Sequence, residues 1–335
     1  MDGRDLTDGS SGHRAEGNAA GTDARTTVFG LDVRSEIPLS FLGRTSAKPT
    51  GRPLAISAHD TDATTPPWPR DAELVCDERL PDGGVSFRVE SHPQAGYLIS
   101  GPLYGSHLLS PDGRTLNCDP EGRHEHAWQR LLIAQVLPFA ALLQGLEVFH
   151  AGAIVKSPSE GAVALLGPSG MGKTSVGLEL CRRGASFLAD DVLALECRGE
   201  ELVAHPGAPL AGVDHTEAER VRSTRESPAR ILAVNSREQL VRMGAIAEPA
   251  PLKALFFLDR RTDGPERPRF DPVLDSKLLL AATFNFVLST PARLRGLLEV
   301  CALAARVRVE RIVCGLTTSV PQLAAAVELR LGPSP

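Results

Sequence analysis

Residues 1–27 are Gly, Ser, Asp, Arg and Thr with almost no large apolar side chains, and the alternation that builds a core starts only at Val28. A segment that cannot bury apolar surface cannot offset its ordering entropy, so this stretch is expected to be a disordered tail. Residues 29–42, FGLDVRSEIPLSFL, alternate apolar and polar positions until Pro38, which reads as a strand and a turn. Short runs of the same kind recur at 72–76, 85–89, 97–100 and 107–109. The turn signals Pro81-Asp82-Gly83-Gly84, Gly101-Pro102 and Pro111-Asp112-Gly113 separate them. Residues 28–123 are therefore expected to form a small β-rich α+β domain, with the proline-rich stretch 61–70 as a surface loop.

The period then changes. Trp128, Leu131, Leu132, Gln135, Val136, Phe139 and Leu142 form one stripe of a helix over 125–144. Pro138 is expected to kink this helix and Gly145 to end it. Residues 124–145 thus read as a bridging helix into a second, α/β unit at 146–335. In that unit, strands are expected at 148–155, 162–166, 187–189, 192–196, 254–258 and 309–316. Helices are expected at 173–183, 236–243, 291–304 and 320–331.

Composition changes this picture little. Hydrophobic residues make up 42% of the 335 positions, enough for a sizeable core. A net charge of −5 argues against nucleic acid as the partner. No run reaches the roughly 20 apolar residues that span a bilayer, and no apolar segment follows the N-terminus, so no membrane or secretory role is expected. The six cysteines include no C-x-x-C pair, which excludes that metal-binding spacing and fits reduced thiols in a cytoplasmic protein.

Candidate chemistry begins at Gly167-Pro168-Ser169-Gly170-Met171-Gly172-Lys173-Thr174. This is a phosphate-binding loop, with an apolar strand before it and a helical pattern after it through Ser175 and Val176. The glycines let backbone N–H groups turn inward on an anion, and the helix N-terminus adds positive potential. Lys173 reaches the β- and γ-phosphates of a nucleotide, and the Thr174 hydroxyl is a ligand for Mg2+. Beyond the loop helix, Asp190 and Asp191 end the apolar run ASFLA. Adjacent carboxylates there can divide labour between holding Mg2+ and accepting a proton; in isolation, Asp-Asp also suits a surface turn.

FHAGAIV (149–155) and ALLGPSGMGKTSVGLELCRRGASFLADDVLAL (164–195) resemble the core of the HPr kinase/phosphorylase family. The resemblance implies a P-loop kinase domain with a mixed sheet and helices, ATP as donor, Asp191 as general base, Asp190 beside Mg2+, and His150 as an active-site histidine. AHPGAPLAGVD (204–214) stands where that family carries a Glu-x-Arg-Gly-Leu-Gly segment for phosphorolysis. The texture of 29–42 and 101–113 is more similar to the HPr-kinase-like tailoring kinases of lasso-peptide clusters. That implies transfer of phosphate to a serine of a peptide or small protein, with the first domain binding peptide or a second copy of the chain. A small-molecule kinase and a non-catalytic ATP-binding regulatory module remain alternatives.

Several weaker candidates stay open. His150 could be a core histidine. His205 and Asp214 could lie near the nucleotide or in an ordinary loop. Asp259, Arg260 and Arg261 follow the strand ALFFL, where sheets of this class place ligands, so an arginine there could meet phosphate or simply be solvated. Arg220, Arg222, Arg225 and Arg230 read as a mobile, solvated stretch or as a contact for an acidic peptide. His124 and His126 are two apart and do not share a helical face, which speaks against a metal pair.

Overall fold

The computed structural model describes residues 24–43, 48–58, 67–80, 82–119, 125–157, 159–223, 229–234, 239–244, 246–273, 277–284 and 290–332. Residues 1–23, 61–66 and 224–228 lie outside them, so the expectations for most of the tail, for most of the proline-rich loop and for Arg225 lie there too. So do His124 and the side chains of His126 and Arg230.

The first sheet has eight strands: β1 (Ala24–Val28), β2 (Leu31–Ser35), β3 (Pro53–Ala58), β4 (Glu73–Arg79), β5 (Val85–His92), β6 (Gly96–Gly101), β7 (Gly105–Leu109) and β8 (Thr115–Cys118). Their order is β1-β2-β3-β8-β7-β6-β5-β4, parallel at β2/β3 and β3/β8 and antiparallel elsewhere. The expected tail is corrected at its end, because residues 24–27 are strand. Thr26, Thr27 and Val28 are β-branched and pair with Val33, Asp32 and Leu31 across a two-residue turn at Phe29 and Gly30.

The bridging helix is interrupted. It runs as α1 (Glu125–Leu131), a π-helical turn (Leu132–Val136) and α2 (Leu137–Leu143). Pro138 has no N–H to continue the ladder, and the wider turn precedes it where a simple kink was expected. Gly145, at φ 86°, ends α2: its N–H donates to Leu142 O at 3.1 Å and that of Leu146 to Ala141 O at 3.0 Å, the two bonds of a Schellman cap.

The second half is built from β9 (Glu147–Phe149), β10 (Ala151–Val155), β11 (Ala162–Leu166), α3 (Lys173–Arg182), β12 (Ser186–Ala189), β13 (Leu193–Arg198) and β14 (Glu201–His205). It continues with β15 (Leu210–Val213), α4 (His215–Ser223), β16 (Ala229–Val234), β17 (Gln239–Met243), β18 (Ala250–Arg261), β19 (Arg269–Pro272), α5 (Lys277–Ala281), α6 (Pro291–Ala304), β20 (Arg308–Gly315) and α7 (Val320–Leu331). A nine-stranded mixed sheet runs β12-β10-β11-β18-β14-β13-β9, with β20 and then β19 added beside β18. Only β11/β18 and β18/β20 are parallel. These strands are buried on both faces, as parallel strands need to be. Val163, Leu165, Phe256 and Leu258 pack with Val176 of α3 and Leu323 of α7. Ala164, Leu166, Leu255 and Phe257 pack with Val300 and Leu303 of α6 on the opposite face.

Two expectations are corrected here. The helix expected at 236–243 is a strand where described: β17 is the centre of a three-stranded sheet, β15-β17-β16. Leu240 and Val241 face different cores and satisfy period two as well as a helical stripe. The strand expected at 148–155 is broken at His150, so β9 pairs with β13 while β10 pairs with β11 and β12.

The first sheet shares its core with the second half. Leu31, Leu54 and Leu116 belong to one buried cluster with Leu132, Val192, Ala208, Leu210 and Leu240. A polar link crosses the same boundary. Glu196 on β13 accepts from Arg52 at 2.6 Å, from Arg198 at 2.6 Å and makes a 2.9 Å hydrogen bond with His205, which is 1% exposed. Burial works to raise the Glu196 carboxyl, but its hydrogen bonds outweigh that and hold it at about 2. A carboxyl lowered in the folded state contributes stability that is complete above its unfolded value, near 4.5, and is lost as pH falls toward 2. Glu196→Gln is therefore expected to cost roughly 1–3 kcal/mol at pH 7 and much less near pH 2. Melting both proteins across that range checks it; an equal deficit at both ends contradicts it.

Candidate active site

The phosphate loop connects β11 to α3, and β18 beside β11 shapes it. Gly167 has φ 138°, and a Cβ there would stand 2.8 Å from Leu258 O of β18, a clash that only glycine avoids. Gly172 precedes α3 in the left-handed region at φ 92°, which aims the first amides of the helix into the loop. Lys173 Nζ donates to Gly167 O at 2.7 Å and Pro168 O at 3.2 Å, so its ammonium lies over the loop. Met171 packs against the core beneath α3 and anchors the loop's outer turn.

One hydrogen bond joins this loop to the paired aspartates. Thr174 Oγ1 donates to Asp190 Oδ1 at 2.7 Å, and the other oxygen of Asp190 accepts the Gly212 N–H at 3.1 Å. Burial raises the Asp190 carboxyl above its ordinary value, and the neighbouring Asp191 charge adds to this; the Thr174 and Gly212 bonds and the Arg130 charge work against it. Asp191 is differently placed. Its φ is 61°, and Val192 N closes a tight turn on Asp190 O at 2.7 Å, a γ-turn geometry that strains a residue with a Cβ. Its side chain is 48% exposed and meets Arg130 Nη2 of α1 at 3.5 Å. His150, in the gap between β9 and β10, is exposed rather than a core residue. Its Nδ1 lies 3.3 Å from Asp191 O, its ring tilts against Phe284 at 5.8 Å, and its backbone N–H is held by Ala282 O at 2.7 Å.

The structure thus brings Lys173, Thr174, Asp190, Asp191 and His150 to one end of the mixed sheet. The donor set of the Thr174 hydroxyl and the Asp190 carboxylate is hard oxygen, as Mg2+ requires, and a hydroxyl that gives its proton to Asp190 keeps lone pairs for a cation. Among the described residues no cluster of three His, Cys, Asp or Glu side chains that could hold a metal ion forms.

Other candidates fall elsewhere. His205 is buried in the link to the first sheet, and Asp214 caps α4 by accepting from Glu217 N at 2.8 Å. Their segment still reaches the site through the Gly212 amide. Arg220 and Arg222 are not a mobile stretch: both lie on α4, Arg220 bonded to Glu217 and Glu179 at 3.0 Å and Arg222 to Gln239 at 2.7 Å. Arg130, Gly212 and the left-handed Asp191 were not visible in the sequence. Arg130 sits on an unremarkable helix face, a backbone amide has no side-chain signal, and Asp-Asp is compatible with several backbone conformations.

No family model matches the chain, and no curated protein matches it either. Among solved structures it is similar to the HPr(Ser) kinase/phosphatase from Coxiella burnetii, at 17% identity over 48% of this chain and 95% of that one, with a TM-score of 0.24. A superposition that loose supports no transfer of function. No helix among the described residues is long and apolar enough to cross a membrane.

The backbone strain at Asp191 is separable from its carboxylate. Asp191→Gly and Asp191→Ala both remove the carboxylate, but only glycine relaxes at positive φ. Asp191→Gly is expected to be the more stable by roughly 1 kcal/mol in denaturant unfolding; equal stabilities would show that the turn is not strained.

Proposed function

We propose that this chain is an ATP-dependent kinase that transfers the γ-phosphoryl group to a serine hydroxyl of a peptide or small protein. The observation that carries the reading is the division between the two aspartates. Asp190 has both oxygens engaged, by Thr174 and Gly212, whereas Asp191 turns a half-exposed carboxylate to Arg130. A strained turn that separates two adjacent carboxylates into different environments is how one can serve a cation and the other a proton.

In this reading the loop amides and Lys173 hold the β- and γ-phosphates. Thr174 and Asp190 hold Mg2+, which when bound offsets charge on those phosphates. Asp191 accepts the proton of the acceptor hydroxyl as its oxygen bonds to the γ-phosphorus and the bond to the β-phosphate oxygen breaks, leaving ADP with the electron pair. Arg130 orients Asp191, and His150 steadies the turn through the Asp191 carbonyl. Positioning and charge neutralisation supply most of the rate.

The space beside Asp191 bears on the acceptor. A cavity of about 20 Å3 lies there, lined by Phe29, Arg130, Ile133, Asp191, Leu210 and Leu240. It has room for a water molecule. Asp191, with its side chain 48% exposed, is open to a hydroxyl presented on a larger molecule. The similar texture of 29–42 and 101–113 to the HPr-kinase-like tailoring kinases makes a ribosomal precursor peptide of the lasso type the first substrate to try.

Labelled-ATP transfer to serine-containing peptides, free serine and sugars tests the reading. Asp191→Asn is expected to lower kcat roughly 10²–10⁴-fold while ATP affinity changes little, and Lys173→Ala to lose ATP binding. Undiminished transfer by Asp191→Asn removes the general base. Labelling of free serine or a sugar in preference to every peptide replaces the acceptor class. ATP binding without transfer to any acceptor favours a regulatory module.

A further inference from the structure

The end of β18 carries three charged residues in a row, and period two sorts them. Phe256 and Leu258 face the core beneath α3, so Arg260, the next residue on that face, points toward the phosphate loop. Asp259 and Arg261 face the other way and satisfy each other, with Arg261 Nε and Nη2 donating to the two carboxylate oxygens at 2.9 and 2.6 Å. The hydrogen bonds of Arg261 hold Asp259 below the usual carboxylate range.

Arg260 is held but not neutralised. Its Nη2 donates to Leu316 O at 2.7 Å and Thr318 O at 2.6 Å, both neutral carbonyls of the turn before α7. Its Nε is buried with no partner. Among the described residues no carboxylate lies within ion-pair distance of it, and Nη1 makes no hydrogen bond. That free Nη1 corner lies against the loop: a Cβ on Gly172 would stand 3.5 Å from it. A part-buried guanidinium with no counter-ion is costly unless an anion completes it. Two carbonyl tethers restrict its side-chain freedom beforehand, so little entropy would remain to be lost on binding.

We propose that Arg260 is a nucleotide-binding residue, its Nη1 donating to a phosphate oxygen of the bound triphosphate from the side of the loop opposite Asp190. This rests on the donor-site reading given above. It makes the site a clamp with two cations on different elements, Lys173 on α3 and Arg260 on β18. It also links nucleotide occupancy to the turn at 315–318, because the same guanidinium holds that turn.

The test measures binding of Mg-ATP and of tripolyphosphate, a probe with no base or ribose, by calorimetry and by thermal shift. Arg260→Gln is expected to weaken both by roughly ten- to hundredfold, the range for one charge-assisted hydrogen bond. Arg260→Lys keeps the charge but not the fork, and its loss is expected to lie between wild type and Arg260→Gln; if Arg260→Gln does not fold, Arg260→Lys alone decides. Variants that fold and bind both probes as tightly as wild type overturn the inference and leave the donor site standing. A loss for ATP with none for tripolyphosphate also overturns it, since the contact would then not be to phosphate. Wild type that binds neither probe overturns the inference and the donor-site reading together.

Discussion

The hydrogen bond from Thr174 to Asp190, 2.7 Å long, is the constraint that the site depends on. It ties the first turn of the loop helix to the turn after β12. Those segments come from strands that do not touch, since β10 lies between β11 and β12. Without that bond the loop would still be an anion nest at a helix N-terminus, a feature shared by many nucleotide-binding proteins. With it, the loop and the turn that carries Asp191 are fixed to each other through one pair of oxygens. The cost is visible in the backbone. Asp191 adopts a positive φ because the chain must turn sharply to present one carboxylate inward and the next outward.

The surroundings brace this arrangement from several elements at once. Gly212, from the small sheet, donates to Asp190; Arg130, from the bridging helix, meets Asp191; His150, from the break between β9 and β10, reaches its carbonyl. The first sheet contributes indirectly. Its core is continuous with the π-helical turn beside Arg130 and with Leu210 and Leu240 near the site, and the Glu196 link crosses the same boundary. A change in how that sheet sits would move Arg130 and Gly212 relative to the loop, because the shared core and the Glu196 link join them.

The strands and helices flanking the phosphate loop were legible because local pattern and tertiary demand agree there. Residues 162–166, 291–304 and 320–331 match β11, α6 and α7 to the residue. Where one short pattern suits two periods, tertiary pairing chose: Leu240 and Val241 became the middle strand of a sheet because β15 and β16 flank them. Where a functional group is a backbone amide or a conformation, as at Gly212 and Asp191, side-chain identity carried no signal. The charged triplet 259–261 was ambiguous for a related reason. Its three members have similar sequence surroundings, and only the face of β18 on which each falls separates the paired Asp259 and Arg261 from Arg260.

The sequence by itself determined that a Gly-x-x-x-x-Gly-Lys-Thr loop exists, that a strand precedes it and a helix follows it, and that two aspartates lie one helix and one strand further on. These are short-range facts, carried by glycine spacing, a lysine, a threonine and hydrophobic periodicity. Only the tertiary structure decided that Asp190 faces the loop while Asp191 faces out, that Arg130 and His150 attend the second aspartate, and that Arg260 leans on Gly172. Each of those depends on strands and helices far apart in the chain meeting at one sheet edge, and such meetings are set by burial of shared cores rather than by any local motif.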